Sequence, residues 1–186
     1  KKGTSEIVIG DFSGIKLNSG VTNTGQENVH VWAKFIKSNE KIKEHPFIKS
    51  IEFVTDSRLK NTLLRIRIFK VNKEGFPTED EVEEDILVSI KKGKNNNIVD
   101  LTKHNIKIPE EGIIVGFEYL KLEQNKYEYS YTVKGEKGSQ KGYAYEPSIK
   151  GFFPGSESLL LLNRDGSPRL TRYGNVEIAL KMKLTN

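Results

Sequence analysis

Side chains that change sides at every residue constrain this chain more than any other feature it carries. From Val29 to Ile36, Val29, Val31, Ala33 and Phe35 fall on one face, and His30, Trp32 and Lys34 on the other. Phe47, Ile51 and Phe53 are set against Ile48, Ser50 and Glu52. Leu64, Ile66 and Ile68 alternate with Arg65 and Arg67, and Ile86, Val88 and Ile90 straddle Leu87 and Ser89. Near the C-terminal end, Val176, Ile178, Leu180, Met182 and Leu184 alternate with Glu177, Ala179, Lys181 and Lys183. A period of two gives an extended strand one apolar side, whereas a helix would smear the same residues around its circumference.

Two runs are more continuously apolar. Ile113 to Leu122 reads as a strand buried on both faces, and Leu159 to Leu162 as a strand written in a residue that favours helices. Turn chemistry separates the runs: Lys73-Glu74-Gly75-Phe76-Pro77, Pro109-Glu110-Glu111-Gly112, the hairpin loop Asp165-Gly166-Ser167-Pro168 and the corner Tyr173-Gly174-Asn175. Thr78 to Asp85 reads as an acidic stretch with one helical turn, and Lys92 to Asn97 as a polar loop. With no long amphipathic helix, this grammar specifies an all-β fold, a jelly-roll-like antiparallel β-sandwich of about ten strands. The glycine- and lysine-rich Lys134 to Gly142 sits between tyrosine-rich patterns and reads as a long hairpin loop, so residues 1–186 are taken as one sandwich domain.

Composition narrows the functional classes. Cysteine is absent, which removes disulfides, thiolate nucleophiles and cysteine-based zinc sites. The net charge of +5 comes from 30 basic and 25 acidic residues spread along the chain. A nucleic-acid reader needs its basic residues gathered on one face and interleaved with aromatics, so no nucleic-acid partner is expected. No apolar run approaches the 18 or so residues of a transmembrane segment.

The order of pieces from Ile48 to Leu120 resembles a β-sandwich domain of exported Bacteroidetes proteins that often follows a carboxypeptidase-regulatory-like domain. The pieces are Ile51-Glu52-Phe53, Leu64-Arg65-Ile66-Arg67-Ile68-Phe69, Gly75-Phe76-Pro77, Asp85-Ile86-Leu87-Val88, Val99-Asp100-Leu101-Thr102, Asn105-Ile106, Pro109-Glu110-Glu111-Gly112 and Val115-Gly116-Phe117-Glu118. The resemblance covers about two-fifths of the chain. It implies export to the periplasm or cell surface, with the leader outside this sequence, and it supplies no catalytic motif.

Motifs for chemistry are thin. His30, His45 and His104 lie at no metal-ligand spacing and read as surface or loop residues. Gly10-Asp11-Phe12-Ser13-Gly14 is one residue off a nucleophile elbow and lacks the strand-to-helix context. The acidic cluster from Glu79 to Asp85 lacks the alternating pattern of a calcium loop, so no metal and no cofactor is expected. The most informative feature is aromatic. Tyr127, Tyr129 and Tyr131 share one face of a strand, and Tyr143 and Tyr145 follow the glycine-rich loop, so a hairpin would join the two sets into one ladder. Such rings stack on sugars or grip a peptide, or else pair across strands. Trp32 is a further candidate, as an exposed platform or on a second core face. The expectation is a non-catalytic binding or adhesion module at the bacterial cell envelope, with a glycan or a protein as partner. The alternatives are a carbohydrate-binding accessory domain using these aromatics, or a hydrolase whose carboxylates converge only on folding.

Overall fold

The structure is a computed structural model that describes residues 5–24, 30–135, 137–155, 160–170 and 176–186. Val29, Leu159 and the Tyr173-Gly174-Asn175 corner lie outside them. Fifteen strands are formed among the described residues, with one helix of five residues and two 3-10 turns. In chain order the strands are β1 (Glu6–Ile9), β2 (Ser19–Thr24), β3 (His30–Ile36), β4 (Phe47–Ser57), β5 (Thr62–Val71), β6 (Pro77–Asp80), β7 (Ile86–Ile90) and β8 (Gly93–Asp100). They continue with β9 (Ile113–Tyr119), β10 (Lys126–Tyr131), β11 (Gln140–Phe152), β12 (Leu160–Asn163), β13 (Pro168–Leu170), β14 (Glu177–Ile178) and β15 (Leu180–Thr185). Helix α1 (Glu40–Glu44) precedes β4, its first turn capped by the Asn39 side chain.

These strands build two antiparallel sheets, the sandwich that alternation specifies. In the first, β4 carries β8 on one edge and β15, then β11, on the other. Beyond β15 lies β1, and β11 is flanked by β10 on one edge and β2 on the other. The second sheet runs β13, β12, β3, β9, β5, with β7 and β6 along the far edge of β5.

The core fills the space between the sheets. Phe53 of β4 meets Phe117 of β9 edge to face, ring centroids 4.9 Å apart. Ile51, Leu64, Ile66, Ile68, Leu180, Met182 and Leu184 surround them, all nearly free of water contact. Each such side chain is worth about 1.5–3 kcal/mol on burial. Tyr119 spans the layers and donates its phenol O–H to the Val21 carbonyl at 2.8 Å. An ion pair also crosses between them, Lys34 Nζ of β3 to Glu177 Oε1 of β14 at 2.7 Å.

Four local expectations are corrected. β3 is buried on both faces, because Val31 and Ala33 join a second apolar cluster with Phe69, Ile114 and Leu162 on the outer side of the second sheet. Ile48 is buried with Ile51 and Phe53, since the β4–β15 register shifts beside Lys49 and turns Ile48 inward. Lys92 to Asn97 is no loop, because from Gly93 on it forms β8, whose ladder with β4 overrides the poor strand propensity of three asparagines. The acidic stretch contains the short strand β6 rather than a helical turn, held by pairing with Phe69 and Val71.

Candidate functional site

The hairpin between Tyr131 and Gln140 forms as the tyrosine pattern requires, and its register separates the two tyrosine sets. Tyr127 pairs with Ala144, Tyr129 with Gly142 and Tyr131 with Gln140, while Tyr143 and Tyr145 pair with Glu128 and Lys126. Directly opposed residues share a face in an antiparallel pair. Tyr127, Tyr129 and Tyr131 therefore stand on the outer face of the first sheet. Tyr143 and Tyr145 occupy the inner face, Tyr145 against the core and Tyr143 edge-on to it at 5.9 Å. The single ladder expected from sequence does not exist. Trp32 is not a platform either: it is 6% exposed within the inter-sheet core, its Nε1–H directed at the Thr22 carbonyl.

The outer row is ordered. Tyr127 and Tyr129 have centroids 6.5 Å apart and rings 18° from parallel, and Tyr131 follows at 6.1 Å, its O–H donating to Gln140 Oε1. Tyr131 is exposed and the other two are half-buried. Glycine opposite Tyr129 makes the arrangement: a Cβ on Gly142 would sit 2.9 Å from Tyr129 Cζ, so only a bare backbone lets the phenol end lie across β11.

Beside this row opens a pocket of about 460 Å³, lined by Thr22, Asp56, Arg58, Tyr129, Ala144, Glu146, Ser148 and Lys150. Strand pairing brings them together. Ser148 lies opposite Asp56, and continuing that antiparallel register sets Glu146 opposite Arg58. The Arg58 guanidinium covers the Tyr127 ring at 4.5 Å and holds its Nε 3.9 Å from Glu146 Oε1. Glu146 is only 5% exposed. Burial raises its pKa above the usual carboxylate value, against the pull of Arg58 and of the Arg58 and Ser148 backbone amides, with Asp56 pushing the same way as burial. The pocket thus presents two carboxylates, a guanidinium, an ammonium and two hydroxyls beside an aromatic wall.

Sequence reasoning did not find Asp56, Arg58 or Glu146. Alternation along β11 would have placed Ala144, Glu146, Ser148 and Lys150 on one face, but only the fold brings β4 alongside. The acidic stretch has basic partners: Lys70 with Glu79 and Glu81, Arg67 with Asp80, Arg65 with Asp85 and Lys103 with Glu84.

No family model and no curated protein matches the chain. Among solved structures, that of the Gx strain of infectious bursal disease virus aligns with a TM-score of 0.34 at 10% identity, covering 99% of this chain and 39% of that one. No helix among the described residues is long and apolar enough to cross a membrane.

Proposed function

We propose that this domain is a binding module of the bacterial cell envelope that takes an uncharged glycan on the outer face of its first sheet. The observation that carries the reading is the pocket where Tyr129 meets Asp56, Arg58, Glu146 and Lys150. Sugar hydroxyls both donate and accept, so a pocket balanced between carboxylates and cations satisfies them without demanding charge from the ligand. The apolar face of a pyranose needs a flat partner, which the Tyr129 ring at the pocket supplies. Envelope placement rests on the Ile48–Leu120 resemblance alone.

The test is affinity electrophoresis and calorimetry against a panel of neutral soluble polysaccharides. At least one is retarded by the parent protein, and Tyr129→Ala weakens its binding by about 1 kcal/mol, roughly fivefold in Kd. A panel that binds nothing, or binding indifferent to Tyr129→Ala, ends the reading.

One observation favours a second reading, hydrolysis at the same pocket. Glu146 is nearly dry, and Asp56 lies on the neighbouring strand of the same face, an arrangement in which one carboxyl acts as acid and the other as base or nucleophile. Release of reducing ends from a bound polysaccharide, abolished in Glu146→Gln, would select it over simple binding.

A further inference from the structure

Ser5 and His45 form a hydrogen-bonded pair at the end of β4 opposite Asp56 and Arg58, and the sequence gives no hint of it because 40 residues separate them. His45 follows α1, and its backbone N–H donates to the Lys41 and Ile42 carbonyls as the helix cap. Its Nδ1 lies 3.2 Å from the Lys41 carbonyl oxygen. A carbonyl only accepts, so Nδ1 carries the ring proton and Nε2 holds the lone pair. That lone pair faces Ser5 Oγ at 2.7 Å, so the serine hydroxyl donates to the imidazole.

Ser5 is held on both sides. Its N–H donates to Asn186 Oδ1 at 3.0 Å, and its carbonyl accepts from Thr185 Oγ1 at 3.2 Å, as β1 begins its ladder with β15. Because Asn186 Oδ1 is fixed as the acceptor, the Nδ2 amide of that side chain is a donor beside Ser5. Nucleophile, base, and a main-chain carbonyl orienting the base are the three parts of a hydroxyl activated for attack. Ser5 is exposed, and among the described residues nothing encloses it.

We infer that Ser5 is an activated nucleophile that supports acyl transfer from small carboxylic esters to water, independently of the glycan pocket. Ser5 Oγ attacks the ester carbonyl carbon while His45 Nε2 takes the hydroxyl proton. The tetrahedral intermediate collapses by breaking the bond to the alkoxy oxygen, which leaves as the alcohol with that proton. Water, deprotonated by the same Nε2, then attacks the Ser5 ester. The carboxylic acid departs, and the proton returns to Ser5 Oγ.

The experiment uses p-nitrophenyl acetate as probe, following phenolate release and locating acetyl groups by tandem mass spectrometry. Acetyl appears on Ser5 of the parent protein. His45→Ala slows its appearance by about 10²-fold, the lower end of general-base assistance, and added imidazole restores part of the rate. Ser5→Ala removes the Ser5 adduct, and both variants stay folded, since Ser5 is exposed and His45 half-buried, as a cooperative melting transition of each variant checks. Acetylation confined to lysines, or a Ser5 rate unchanged in His45→Ala, overturns the inference and leaves a hydrogen bond that only tethers β1 to α1.

Discussion

The outer faces of the two sheets solve the same problem in opposite ways. Behind the second sheet, Val31, Ala33, Phe69, Ile114 and Leu162 form a small apolar cluster, and the loop of the β12–β13 hairpin lies over it, with Gly166 against the Phe69 ring. The fully buried Glu118 holds that cover down: Arg65, Arg67 and Arg164 all approach its carboxylate, the last with Nε 3.1 Å from Oε1. Behind the first sheet no such lid exists among the described residues, and side chains of both charge signs line an open pocket beside three tyrosines. An outer face that carries apolar residues must be covered and is spent on stability. One that carries balanced polar groups is left open to a ligand.

The sharpest break of this contrast is Glu118→Ala. It takes one of two carboxylate partners from Arg65 and Arg67, which keep Asp85 and Asp80, and frees Arg164 from the cover, at a cost of about 3 kcal/mol in urea unfolding while glycan affinity holds. Next comes the same substitution on both faces. A Cβ on Gly116 would stand 2.7 Å from Val31 Cγ1 and 3.0 Å from Phe69 Cε2, inside a closed cluster. Gly116→Ala therefore costs about 1–3 kcal/mol by overpacking. Gly142→Ala meets only the movable end of Tyr129 and costs about 0.5 kcal/mol or less, yet it displaces the ring and weakens glycan binding. Equal stability losses at the two glycines would erase the distinction.

The smallest effect separates the faces by pH. Burial raises the Glu146 pKa, so the unfolded chain hosts its ionised form better than the folded one does. Its contribution to stability is intact below the ordinary value of 4.5 and is lost as pH rises through the native-state value. Glu146→Gln carries no such group. The parent should lose stability relative to the variant between pH 4.5 and neutrality, read as diverging urea midpoints. Midpoints that run parallel would mean that Glu146 is well solvated.

Much of this architecture was legible because burial and alternation report the same fact. Leu64, Ile66 and Ile68 announced β5, Leu180 to Leu184 announced β15, and the unbroken apolar run announced a β9 buried on both sides. β8 was hidden because asparagine is a turn former by itself. The Asn97 amide reaches Phe53 O and Thr55 Oγ1, contacts that exist only once β4 lies alongside. The site was half legible for a related reason. Tyr127, Tyr129 and Tyr131 share a face by local geometry, whereas the side taken by Tyr143 and Tyr145 depends on hairpin register, which the loop residues alone do not fix. Glu146 and Arg58 are 88 positions apart in the chain, and Ser5 and His45 are 40 apart, with no spacing to reveal either pair.

Asp56 lies three residues beyond Phe53 on the unbroken β4, and Arg58 follows where that strand ends. The groups lining the pocket are thus extensions of the centre of the sandwich, and none of the described residues closes over them. A carbohydrate would find its docking surface ready-made. Encounter would then be fast and similar for related sugars, and discrimination among them would be written in how long each stays.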